Sequence, residues 1–160
     1  MNENEENRME IERKFLLKEL PASLEKYPCR TIEQGYLTTH PVVRVRRDEQ
    51  DYYLTYKGSG LLAREEYNLP LTKEAYDSLL TKCEGNIISK KRYLIPIDDS
   101  DLTIELDVFA PPFAPLIMAE VEFKSMEEAN AFCPPSWFGE DVTKNPAYHN
   151  SNMAMRDFKV

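Results

Sequence analysis

Along most of the chain, apolar and charged residues alternate with period 2 in short runs bounded by Pro, Gly, Asn or Asp. A strand turns successive side chains to opposite faces, so this period predicts half-buried strands. It occurs over 9–16, 31–38, 42–48, 52–57, 64–69, 87–95, 102–109 and 117–123. The strands at 52–57 and 64–69 are joined through Gly58, Ser59 and Gly60, a turn composition. Helical signals are confined to 21–26, 72–83 and 125–132. Thr72 and Ser125 stand as N-caps, Glu74, Glu127 and Glu128 lie in first turns, and Gly85 follows the second helix. Residues 134–160, with Pro134, Pro135 and Trp137, read as loop with one closing helical turn. Residues 1–8 read as a frayed acidic tail and 9–160 as a single domain, without repeats or linkers. The predicted class is β-dominated α+β, with a few short outer helices.

The polar faces of these strands carry an unusual pattern. Glu10 and Glu12, Arg44 and Arg46, Lys90 and Arg92, Glu105 and Asp107, and Glu120 and Glu122 are pairs of like sign, two residues apart and so on one face. Like charges side by side repel, and a face selected only for solubility mixes signs or uses Thr, Ser and Gln. Lys14, Lys57, Arg64 and Glu66 fall in phase with the pairs. Together they predict that all these faces look into one shared space inside a closed antiparallel barrel of about eight strands, wide enough for one small ligand. A space crowded with both signs suits a polyanion bound with metal cations: guanidinium and ammonium groups for phosphate oxygens, carboxylates for Mg²⁺ or Mn²⁺.

Composition narrows the picture. The 160 residues are 42% apolar and 30% charged, as in a folded domain, and the net charge of −8 argues against non-specific binding to nucleic acid or anionic lipid. No stretch reaches the roughly 18 apolar residues of a membrane span, and no apolar export segment follows the N-terminus. Cys29, Cys83 and Cys133 suggest neither a disulfide framework nor a zinc site; buried or inert thiols in a cytoplasmic protein are expected. There is no GxxxxGK[ST], HExxH, GxSxG or CxxC motif.

Glu10-x-Glu12-x-Lys14, followed in order by Arg44-x-Arg46, Lys57, Lys90-x-Arg92, Glu105-x-Asp107 and Glu120-x-Glu122, resembles the CYTH superfamily, or triphosphate tunnel metalloenzymes. The stretches around Glu10, Gln34-Gly35-Tyr36-Leu37 and Trp137-Phe138-Gly139 look most like its small bacterial branch, associated with inorganic triphosphatase activity. The resemblance implies an eight-stranded tunnel in which Glu10, Glu12, Glu120 and Glu122 hold one or two Mg²⁺ or Mn²⁺ ions, with Glu105 and Asp107 as further metal or supporting acids. It implies phosphate contacts from Lys14, Arg44, Arg46, Lys57, Lys90 and Arg92, with Arg64 and Glu66 in less certain phase.

Metal-assisted hydrolysis of tripolyphosphate follows, with Lys14 or Glu122 orienting water. Rival readings are an adenylate cyclase or a nucleoside or thiamine triphosphatase in the same tunnel, and a non-catalytic polyphosphate or nucleotide sensor. Tyr36 is read either as packing or as a substrate contact. Arg13 points away from the tunnel, His40 and His149 read as surface residues, Trp137 and Phe138 as a barrel cap, and Lys144 as a surface residue or one reaching a mouth. A homodimer through an outer barrel face is compatible with the pattern.

Overall fold

The computed structural model describes residues 9–155; the acidic tail expected over 1–8 lies outside them. Eight strands form a closed antiparallel barrel: β1 (Met9–Leu16), β2 (Cys29–Thr39), β3 (Val42–Asp48), β4 (Asp51–Lys57), β5 (Ala63–Pro70), β6 (Glu84–Pro96), β7 (Thr103–Phe109) and β8 (Ile117–Phe123). Around the barrel the order is β1-β5-β4-β3-β2-β6-β7-β8. The expected strands are all present, with β2 and β6 longer at both ends than their alternation reached. Beside β1, β5 pairs only from Met9↔Glu65 to Ile11↔Ala63. Past that point the backbone of β1 turns to the C-terminal segment, with Val142 N donating to Lys14 O and Leu16 N to Glu140 O.

Helices are short. α1 (Lys73–Leu80) begins at Thr72, whose hydroxyl accepts from Ala75 N, and α2 (Met126–Ala131) at Ser125, whose hydroxyl accepts from Glu128 N. Both N-caps act as the sequence predicts. The stretch 21–26 yields only a 3₁₀ turn, Leu24–Lys26. Gly85 does not cap α1. It lies in β6 at φ 71°, where a Cβ would stand 2.3 Å from Ala154 O, so its missing side chain admits the C-terminal helix, α3 (Asn150–Ala154).

Apolar residues gather in two places. Ile104, Leu106, Ala119, Val121 and Phe123 alternate with the acids of β7 and β8, so they line the outer wall, under Leu17, Leu24 and Ala129. Phe138 packs on Phe15 at 4.9 Å in that outer layer, and Trp137 sits beside it, 38% exposed; they cover the wall rather than cap a mouth. The second group fills one end of the barrel: Tyr36, Val42, Ile88, Phe109 and Met118 close around Met153 and Ala154 of α3. Cys29 and Cys133 are exposed and Cys83 half-buried, so none of the thiols is a core residue. No helix among the described residues is long and apolar enough to cross a membrane.

Candidate functional site

Alternation turns the like-signed pairs inward. A cavity of about 170 Å³ is lined by Glu10, Glu12 and Lys14 of β1, Tyr36 of β2, Arg44 and Arg46 of β3, Lys57 of β4, Arg64 and Glu66 of β5, Lys90 and Arg92 of β6, Glu105 of β7, and Glu120 and Glu122 of β8. Arg64 and Glu66, uncertain in phase, face inward with the rest. Asp107 alone of the expected acids does not line it: fully buried, its carboxylate takes Arg92 Nε at 2.7 Å, Arg92 Nη2 at 2.9 Å and Lys90 Nζ at 2.8 Å. With both oxygens committed to cations, Asp107 is a support for the basic residues rather than a free ligand. Arg13 points out, as expected, and is clasped by Ala129 O, Phe132 O and Asp141 Oδ2 at 3.1, 2.9 and 2.9 Å.

His149 is not a surface residue. It lines the cavity with Asn150 and Ser151, while His40 and Lys144 are exposed. The segment carrying these three crosses the barrel end: Lys14 Nζ donates to Tyr148 O at 3.2 Å and Lys90 Nζ to Asn150 Oδ1 at 3.1 Å. Gln34, buried and unanticipated, joins this network by donating Nε2–H to Asn150 Oδ1 at 3.4 Å, and its Oε1 accepts from Arg46 Nε at 2.8 Å. Tyr36 packs in the apolar end, only 2% exposed, and also borders the cavity.

Burial and crowding shift these groups in opposite directions. Burial, then Glu120 and Glu10, push the Glu12 carboxyl well up; burial, then Glu10, Glu105 and Glu66, raise Glu122 to about 7. Neither acid has an ion-pair partner among the described residues. Burial works against charge on Glu120 too, but Lys14, Arg92 and Lys90 hold it well below the usual range. Lys14 is raised despite its burial, because Glu120, 3.4 Å away, and Glu12 favour the ammonium. Burial, against the pull of Asp107 and with the push of Arg92 and Arg46, brings Lys90 down to about 7. Burial and the neighbouring Lys14, Arg64 and Lys57 lower His149 to about 4, so it is neutral near pH 7.

Glu10 pairs with Lys57 at 2.7 Å, and Arg92 with Glu105. Arg44, Arg46 and Arg64 have no carboxylate at ion-pair distance among the described residues, and Arg44 Nε is buried without a hydrogen-bond partner. The site is therefore rich in charge but incompletely paired on both sides, with cations lacking anions and acids lacking cations.

Whether these acids suit a metal ion can be judged from the donor set. Among the described residues no three Asp, Glu, His or Cys side chains stand close enough together to hold an ion as arranged. Yet Glu12 and Glu122 sit directly opposite in the β1–β8 register, next to Lys14 opposite Glu120. Like charges so placed destabilise a sheet. Burial and the neighbouring acids push both carboxyls up, and all-oxygen donors are what Mg²⁺ and Mn²⁺ take. The set fits such an ion by chemistry, with small side-chain movements needed to close on it.

The CYTH domain family profile matches residues 8–141. An inorganic triphosphatase of Nitrosomonas europaea is 41% identical over 150 residues, covering 91% of this chain and 97% of that protein. Another, from Acetivibrio thermocellus, is 35% identical over 156 residues, covering 94% and 96%. A crystal structure of an inorganic triphosphatase superposes with a TM-score of 0.69 at 37% identity, covering 92% of this chain and 95% of that one.

Proposed function

The chain belongs to the CYTH domain family, and from that premise we propose that it hydrolyses inorganic triphosphate to pyrophosphate and phosphate inside the barrel. The observation that carries this reading is the mismatch in the cavity wall, where Arg44, Arg46 and Arg64 face in without carboxylate partners. A linear polyanion completes them. At about 170 Å³ the cavity is smaller than the roughly 300–1,000 Å³ typical of sites for drug-sized ligands, which favours a short inorganic chain.

Glu10, Glu12, Glu120 and Glu122 would hold Mg²⁺ or Mn²⁺, with Glu105 beside them. When bound, the ion supplies charge neutralisation on the phosphoryl oxygens. The chain's own residues do the rest. Arg44, Arg46, Lys90 and Arg92 fix the phosphates and oppose charge growing on the leaving pyrophosphate. Lys14, kept protonated by Glu120, acts as a donor to phosphate oxygen rather than as a base. Glu122, without an ion-pair partner among the described residues, orients the attacking water and takes its proton as the anhydride bond to pyrophosphate breaks. Asp107 anchors Arg92 and Lys90. The free thiols suit a reducing compartment, and we place the protein in the cytoplasm.

A second reading has one observation in its favour. A pocket of about 530 Å³ adjoins the tunnel at Arg44, Arg46 and Glu66 and is walled by Tyr52, Tyr53 and Asn68, room for the organic part of a nucleoside triphosphate. A panel of tripolyphosphate, ATP, thiamine triphosphate and pyrophosphate with Mg²⁺ or Mn²⁺, scored for phosphate, pyrophosphate and cyclic AMP, separates the two. Tripolyphosphate is expected to give the highest kcat/KM. Cyclic AMP as the main product would overturn the first reading. Glu10→Gln and Glu122→Gln should each abolish metal-dependent phosphate release, and near wild-type turnover in both would remove the metal assignment.

A further inference from the structure

The cations of the tunnel are held in two chemically different ways. Lys14, Lys57 and Arg92 rest on the carboxylates of Glu120, Glu10 and the Glu105/Asp107 pair. Arg46, in contrast, is aimed by an amide, its Nε donating to Gln34 Oε1 at 2.8 Å. Lys90 shares Asp107 with Arg92 and takes its other oxygen from an amide, Asn150 Oδ1, at 3.1 Å. The two amides also meet each other, Gln34 Nε2 lying 3.4 Å from Asn150 Oδ1 while donating to Tyr36 OH at 2.9 Å.

An amide oxygen accepts the same hydrogen bond as a carboxylate but leaves the donor's charge uncompensated. In a buried site that difference sets how much the cation gains from a phosphate, because each further carboxylate beside it offsets part of its charge. Asn150 moreover comes from outside the barrel strands. It is the first residue of α3, which is locked by the fully buried Met153 and Ala154, so docking of this helix and the aim of Lys90 are one event.

We propose that Gln34 and Asn150 are positioning residues that direct Arg46 and Lys90 at phosphoryl oxygens without adding a carboxylate, so that Arg46 stays unpaired and Lys90 keeps only its share of Asp107. This deepens, and rests on, the triphosphate reading. The neutral character of the two side chains is then the functional property: an acid at either position would hold the cation as firmly and cancel it, whereas alanine would leave it charged but loosely aimed.

The test compares Asn150→Asp, Asn150→Ala, Gln34→Glu and wild type as full chains, measuring KM and kcat for tripolyphosphate with Mg²⁺, together with melting temperature. Both acid variants should raise KM by about tenfold or more, the scale of one lost charge-assisted hydrogen bond, without lowering the melting temperature. Asn150→Ala should raise KM less. Acid variants that fold and keep KM within about twofold of wild type would overturn the proposal, as would an alanine variant more damaging than the acid one. Should Asn150→Asp fail to fold, Gln34→Glu and Gln34→Ala, on a barrel strand, carry the same comparison. If wild type releases no phosphate from tripolyphosphate, the functional reading fails separately. Calorimetric affinity for tripolyphosphate then tests the positioning: the same acid-below-alanine order supports it and equal affinities overturn it.

Discussion

Glu122 stands on β8 opposite Glu12 of β1, and its burial, with Glu10, Glu105 and Glu66 nearby, gives it a pH signature. The Glu122 carboxyl stands at about 7 in the folded chain against an ordinary 4.5, so the native state keeps a proton that the unfolded chain releases. Stability from this group is full below pH 4.5 and is lost as pH rises through 7. The metal-free protein should therefore melt at progressively lower temperature across that window, and Glu122→Gln should flatten the decline; parallel curves for the two proteins would rule the origin out. Glu66, brought to about 2 by Glu10, Lys57 and Asn68 against its burial, contributes oppositely, its stabilisation fading as pH falls from 4.5 toward 2. At this scale the charged residues were legible and the neutral ones were not. A like-signed pair two apart is improbable on a merely solvated face, so Glu10, Glu12, Arg44 and Arg46 announce a shared interior. Gln34, Asn150 and Ser151 carry no sign, and His149 next to Asn150 resembles any polar turn until the chain is folded back over the barrel. Asp107 was legible as inward, but its two cation partners depend on register between β6 and β7.

α3 spans only Asn150–Ala154, five residues, too short for a helical period to show or for the helix to stand alone. Its stability comes from what it plugs. Met153 is fully buried among Tyr36, Ile88, Phe109 and Met118, so Met153→Ala should cost about 2–5 kcal/mol in denaturant unfolding, the usual range for such truncations. It should also weaken tripolyphosphate binding, because Asn150 is carried on the same helix. Gly85→Ala should act on the same contact from the barrel side, since its Cβ would strike Ala154 O. A helix that is packing alone would give the stability loss without the change in affinity. The strands were legible because alternation persists over six or more residues. The ends of β2 and β6 were not, because Cys29, Arg30 and Glu84 pair as strand without alternating, and the register shifts between Glu84 and Ile88.

For the molecule as a whole, a chain of net charge −8 binds a polyanion only if its cations are gathered away from the surface acids, and the barrel does that. Ligand should then stabilise the whole fold. Tripolyphosphate with Mg²⁺ at about 100 times its Kd should add about 2.7 kcal/mol. For a chain of this size that is about 5–10 °C in melting temperature, readable by calorimetry. No shift would mean that the folded chain does not bind tripolyphosphate in preference to the unfolded one. The barrel also turns the common plan of a domain inside out. Its centre is wet and charged, and much of its grease is worn as a coat, Ile104, Leu106, Val121 and Phe123 facing outward beneath Leu17, Leu24 and Ala129. The short turns and helices that look like ornament are thus the lining of that coat. A pared-down version keeping only the eight strands would stick to its own kind twice over, through the edge of β1 that the C-terminal segment now covers and through the bare flank of β7 and β8.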